Sequence, residues 1–237
     1  MRFISLAVSL FVLVSATGAS GSKPVMQELR AEFKKSVGSK FFILTSKEKP
    51  LSFLKEDALE EFYFKQILKD ARGKILSVKA ENKSQYFVYV DRNPNKQIIV
   101  VGFFDSVAKD IAIIGVGRVS TGNQKRHGDY FLTPVGIFTH ANDYRAEGTR
   151  NAKGWRGLGV KNSRVWDFGW QKTCKNNQPI EIRLLMHATD PDFGEPRLGK
   201  VASKGCVRIS SKLNKFLDYY GILDSRGKYL LVGDSRF

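Results

Sequence analysis

A cysteine in a glycine turn, with a histidine upstream at the end of an apolar strand, is a pairing that can carry nucleophilic chemistry. Here the turn is Ser203-Lys204-Gly205-Cys206-Val207-Arg208, and the histidine is His187, with fifteen residues between it and Ser203. The reactive form of cysteine is the thiolate, so a neighbouring base must take the proton or hold it as imidazolium beside the sulfur. Gly205 lets the backbone turn sharply and approach a substrate, so that amide N–H groups near Cys206 can face a developing oxyanion. Nucleophilic attack by the thiolate, with the developing oxyanion held by backbone amides, is the chemistry such a set could perform.

These residues need a frame. From about Tyr86 the chain alternates short runs rich in Val, Ile, Phe and Tyr with clusters of Asn, Asp, Gly and Pro. That pattern predicts strands over Tyr86–Asp91, Gln97–Phe104, Asp110–Ser120, Gly136–His140, Ile180–His187 and Tyr229–Gly233. Within Ile180–His187, Ile180, Ile182, Leu184 and Met186 fall on one face, and Glu181, Arg183, Leu185 and His187 on the other. His187 thus ends a strand and points away from its most apolar face. After Cys206, Ser210 or Ser211 caps a predicted helix with Leu213, Phe216, Leu217 and Tyr220 at helical spacing, and Gly221 stops it. Upstream, Lys- and Glu-rich stretches predict amphipathic helices over Met26–Lys35 and Asp57–Lys69, the latter carrying Leu59, Phe62, Phe64 and Ile67. The expected fold is mostly β, a sandwich or barrel with peripheral helices, preceded by a small α+β region. Gly115-Val-Gly117 follows a strand but lacks the third glycine and the helix of a dinucleotide site.

The His187 and Ser203–Arg208 pair resembles the signature of the L,D-transpeptidase catalytic domain, the YkuD-type family. A second element, Val119-Ser120-Thr121-Gly122 followed by Thr133-Pro134-Val135-Gly136-Ile137-Phe138, resembles that family's strand-turn-strand segment. The resemblance covers roughly Tyr86–Val232. It implies Cys206 as nucleophile, His187 as general base and then acid, and the Gly205 and Cys206 backbone as part of an oxyanion hole. Arg208 would position a substrate carboxylate or hold the loop. Ser203 would support the site by hydrogen bonding, or face its own backbone. Lys204 stands where that family often has histidine, and Ala188 where it often has glycine or serine. A cation beside Cys206 favours the thiolate, whereas a lysine next to a glycine turn ordinarily faces water. The implied substrate is a peptidoglycan stem tetrapeptide that loses its terminal D-alanine. The acceptor is an amine of another stem, a lysine of an outer-membrane protein, a free D-amino acid, or water, which would make the enzyme a carboxypeptidase or amidase. A dead site on a murein-binding module is the reading from another class.

The rest of the chain sets the compartment. Arg2 followed by the uncharged apolar run Ile4–Val14 reads as a signal peptide over residues 1–19, cleaved after Ala16 or Ala19. That run is shorter than the roughly 20 residues needed to cross a bilayer, so no stable membrane span is expected after cleavage. Export places the protein in the periplasm or cell envelope. The formal net charge of +16 suits polyanions, and an exported chain meets anionic wall polymers and carboxylate-bearing peptides before nucleic acid. Residues 20–85 form an accessory region and 86–234 the catalytic domain. Cys174 and Cys206 are the two cysteines; a disulfide is the ordinary reading in an oxidising compartment, but the motif argues for a free Cys206, with Cys174 a surface thiol in the Lys172–Gln178 turn. His127 and His140 read as structural or exposed, and three histidines without clustered acids give no metal site and no cofactor. All three tryptophans lie between the motifs, in Gly154–Gly159 and Trp166–Trp170. They form either a lid over the acyl-enzyme or an aromatic cluster packing a long loop, and packing is the preferred reading.

Overall fold

The computed structural model describes residues 22–38, 61–79, 82–140, 150–151, 154–175, 178–224 and 228–236. The expected signal peptide and its cleavage sites lie outside them. Strands β1 (Gln85–Asp91), β2 (Ile98–Asp105), β3 (Asp110–Arg118), β4 (Gly136–Thr139) and β8 (Tyr229–Gly233) form one mixed sheet in the order β3-β2-β1-β8-β4. Strands β5 (Val165–Lys175), β6 (Gln178–Ala188) and β7 (Val207–Ile209) form a second, in the order β5-β6-β7. Each sheet has one parallel pair, β1 with β8 and β6 with β7, among antiparallel ones. The fold is mostly β, but neither sheet closes into a barrel.

Both faces of the five-stranded sheet are covered, which is why its strands read as continuous apolar runs. On the inner face Val88, Val90, Ile99, Val101, Leu230 and Val232 meet Trp166, Leu184, Met186, Val207 and Ile209 of the second sheet. Helices α1 (Ser22–Ser36) and α3 (Ser211–Tyr219) border the same core. Phe33 of α1 meets Phe216 of α3 edge to face at 5.1 Å between centroids, worth about 1 kcal/mol beyond the burial itself. On the outer face Phe87, Tyr89, Ile98 and Val100 pack against Phe64, Ile67, Ala71 and Ile75 of α2 (Glu61–Ser77). The helical spacing continues through Ala71 and Ile75, so α2 runs past Lys69, where the sequence reading ended it. Phe62, counted there among its apolar residues, is exposed.

Two strands depart from expectation. The Trp166–Trp170 stretch is no loop but lies in the first half of β5, an edge strand whose alternation is broken by a bulge between Asp167 and Trp170. Only Trp166 enters the core; Trp155 and Trp170 are 66% and 69% exposed, so the three tryptophans form no single packed cluster. Cys174 lies in β5 opposite Pro179 and not in a turn. Strand β7 is only three residues long, too short for a period to show. Helix α3 begins as its sequence implies, with Ser210 Oγ accepting from Leu213 N–H, and Gly221 beyond it takes φ +57°.

Candidate active site

The second sheet presents one face to the core and the other outward. In a parallel ladder paired residues point to the same side. Met186 pairs with Val207 and Ala188 with Ile209, all buried inward, while the pair His187 and Arg208 between them faces out. Cys206 directly precedes Val207 and so shares that outward face, beside Leu185. The nucleophile and the histidine expected from the sequence are therefore neighbours, the histidine on β6 and the cysteine just before β7.

The parallel arrangement forces the chain to return from the end of β6 to the start of β7, and residues 189–206 make that crossover. The upstream Val119–Gly122 and Thr133–Phe138 element holds its far end. Ser120 exchanges backbone hydrogen bonds with Arg208, Arg208 N–H donating at 2.9 Å and Ser120 N–H at 3.0 Å. Gly122 bridges Ser203. Thr133 Oγ1 donates to the Gly205 carbonyl at 2.8 Å and accepts from Gly122 N–H at 2.9 Å. A Cβ on Gly122 would lie 1.9 Å from the Phe131 carbonyl oxygen and 3.0 Å from Gly205 Cα, so only glycine lets these backbones meet. Gly205 takes φ +127°, a region that side chains other than glycine's avoid.

Inside the loop, Ser203 is fully buried and its hydroxyl donates to the Cys206 carbonyl at 2.6 Å while accepting from Gly205 N–H at 3.0 Å. The serine thus binds its own turn together. The Gly205 N–H is therefore engaged within the turn. Lys204 is exposed, its ammonium 5.7 Å from the Tyr130 ring centre. The cation whose field reaches the thiol is Arg208, so the lysine next to the glycine turn faces outward.

His187 is 3% exposed. Its Nδ1 lies 2.6 Å from the Ala188 carbonyl oxygen; a carbonyl only accepts, so Nδ1 carries the proton and Nε2 is the bare nitrogen. Burial holds the imidazole down to about 4, the Ala188 carbonyl opposing and the Arg208 charge assisting. Burial also pushes the Cys206 thiol up, and Asp167 adds to this, against the Leu185 N–H and Arg208. The resting pair at neutral pH is therefore thiol and neutral imidazole. Arg208 makes no ion pair among the described residues, and its buried Nε has no hydrogen-bond partner there. Such a half-buried guanidinium beside a cysteine can seat an anion.

Cys174 and Cys206 are both free. Cys174 pairs with Pro179, six positions along β6 from Leu185, about 20 Å at strand rise, far beyond the roughly 7 Å a disulfide spans. His127 is exposed, and His140 is buried with its Nδ1 3.1 Å from Asp167 N, off the outward face. Asp167 and Arg183, which the sequence reading gave no role, stand on that face; the bulge glycine Gly169 was the available signal. Against the Ala188 end of β6 lies the segment around the turn Arg156–Leu158, with Gly159 meeting the Ala188 side chain. Asn151 ties that segment together, donating to the Trp155 and Gly159 carbonyls at 2.7 Å each. Arg156 pairs with Asp190 at 2.8 Å and with Asp192, linking it to the crossover. Among the described residues no helix is long and apolar enough to cross a membrane.

No protein-family model matches the chain, and no curated protein matches it in sequence. Among solved structures it is similar to two crystal structures of the helical cell shape determining protein Pgp2 from Campylobacter jejuni, one of them a point mutant. Identities are 12% and 15%, and TM-scores 0.41 and 0.40. The likeness covers 72% of this chain in both cases but 56% and 57% of the Pgp2 chains, so this chain spans little more than half their length. A likeness of that size carries no argument about function.

Proposed function

We propose that the chain is a cysteine-dependent acyltransferase of the cell envelope, an L,D-transpeptidase acting on peptidoglycan stem tetrapeptides. The observation that carries the reading is the outward face of β6 and β7, where Cys206, Arg208 and the Nδ1-protonated His187 stand together. The two sequence motifs that resemble the family supply its substrate. Cys206 Sγ attacks the carbonyl of the residue before the terminal D-alanine as its proton passes to His187 Nε2. The Cys206 N–H faces the oxyanion and Arg208 holds a substrate carboxylate. Collapse breaks the C–N bond, His187 returns the proton to the departing amine, and a thioester remains. An acceptor amine then attacks, His187 takes its proton, and the new amide leaves with the thiol restored. Water in place of the amine gives the carboxypeptidase.

The test is incubation with purified disaccharide tetrapeptide, read by mass spectrometry with and without an acceptor amine, beside Cys206→Ala. Loss of D-alanine with an amide-linked product supports transfer, and tripeptide alone supports hydrolysis. Unchanged substrate, or equal turnover by Cys206→Ala, would overturn the reading. A carbapenem should add its mass to Cys206 and leave Cys206→Ala unmodified.

A further inference from the structure

We infer that Arg183, oriented by Asp167, recognises a carboxylate on the acyl half of the substrate, on the side of Cys206 opposite His187. The inference rests on the acyl-transfer reading above and adds a recognition point outside both sequence motifs. It starts from the bulge in β5. Trp166 and Phe168 point into the core, and regular alternation would send Asp167 and Trp170, three residues apart, to opposite faces. The extra residue reverses this. Asp167 pairs with Leu185 and Trp170 with Arg183, so both join the face that holds Cys206, and Gly169 takes φ +74° to make the bulge.

The pair so formed is built to present a guanidinium. Asp167 Oδ1 accepts from Gly169 N–H at 2.9 Å, and Oδ2 accepts from Arg183 Nε at 2.8 Å and from its Nη2. Burial would raise the Asp167 carboxyl, but the Arg183 and Gly169 bonds outweigh it and hold it below the ordinary range. Arg183 commits two of its five N–H donors to Asp167, and its side chain is 61% exposed, leaving Nη1 for an incoming anion. Trp170, 69% exposed directly across the ladder, walls the same spot.

Direction along the strand assigns the role. Cys206 stands beside Leu185, with His187 and Arg208 two positions further along and Arg183 two positions before. The group that protonates the departing amine must lie on the leaving-group side, so the leaving residue and its carboxylate extend toward His187 and Arg208. The acyl half then runs the other way, and about 7 Å from Leu185 it meets Arg183. A carboxylate borne by the acyl residue, or by the residue before it, is the ligand that fits. Asp167 is a positioning residue.

Two peptides test this: the stem tetrapeptide, and the same peptide with its acyl-half carboxylates amidated and its terminal carboxylate free. Affinity is measured by calorimetry in the Cys206→Ala protein, so the readout is independent of turnover. Arg183→Gln should weaken binding of the first peptide about tenfold, the worth of one exposed charge-assisted pair, and leave the second unchanged. In the Cys206 enzyme the same variant should raise KM with kcat held within about twofold; Asp167→Asn should shift KM the same way by less, with unaltered thermal unfolding. Equal loss for both peptides, a fall in kcat alone, or no binding of either peptide would overturn the inference. Selective binding without release of D-alanine would keep the recognition point and overturn the acyl-transfer reading.

Discussion

The protonation state of the Cys206 and His187 pair can be tested by titration. With its pKa held near 4, His187 is protonated in about one molecule per thousand at pH 7, against about a quarter for an unperturbed imidazole. No thiolate–imidazolium pair is therefore stored in the resting protein, and in the proposed reaction the thiolate forms only as the proton moves during attack. In a Cys174→Ser background, iodoacetamide reads Cys206 alone. Its rate should climb about tenfold per pH unit from 6 to 8, as for a thiol below its pKa, with no acid shoulder. His187→Gln should leave that curve almost unmoved while lowering turnover about 10²–10⁴-fold. Turnover itself should fall as pH drops through about 4, the value at which the imidazole charges, and not near 6.5. The same shift fixes a sign for stability. Between about pH 4 and 6.5 the unfolded imidazole binds a proton that the folded one refuses, so stability is lost as pH falls through that window, by about 3 kcal/mol in total. Urea midpoints of the wild type minus those of His187→Gln isolate this slope from that of His140, which burial lowers in the same direction. A flat alkylation plateau between pH 5 and 8 that collapses in His187→Gln would refute the neutral-pair argument.

Three further substitutions probe the frame. Gly122→Ala drives a methyl into the Phe131 carbonyl, and urea denaturation should show a loss above about 2 kcal/mol. Thr133→Val keeps the shape but strands the Gly205 carbonyl and the Gly122 N–H, so about 2 kcal/mol should be lost, with slower Cys206 acylation by a carbapenem measured by intact mass. Asp224→Asn removes the nearer of the two carboxylates beside Arg164, 3% exposed, and leaves Asp218 at 3.7 Å, so thermal unfolding should report a loss of about 1–2 kcal/mol.

The sequence carried the parts of this arrangement that depend on local pattern. Strands β1, β2, β3, β6 and β8 lie within two residues of their apolar runs, because alternation and turn residues act at short range. His187 stands at the end of β6 on the face that alternation assigned it. What escaped depended on partners. Strand β5 was hidden because one extra residue at Gly169 breaks its period, and with it went the placement of Asp167 and Trp170. Strand β7 is defined by its ladder and not by its three residues. The engagement of the Gly205 N–H by Ser203, and the Ala188 carbonyl as the group that sets the histidine tautomer, arise from backbone conformation that no spacing encodes. Lys204 drew notice for standing two residues from Cys206, yet a turn sends its side chain to Tyr130.

Strand β8 lies in the interior of its sheet, between β1 and β4, although it is the last strand of the described chain. Arg92 joins its far end to the support of the Cys206 turn, donating to Asp234 at 2.8 Å and to the Thr133 carbonyl at 2.6 Å. A growing polypeptide that has not yet emerged beyond residue 233 therefore has a gap where β1 and β4 should be joined, and Thr133 lacks that tether. Cys206 is synthesised before β8, so the backbone support of its turn is incomplete until that strand is inserted.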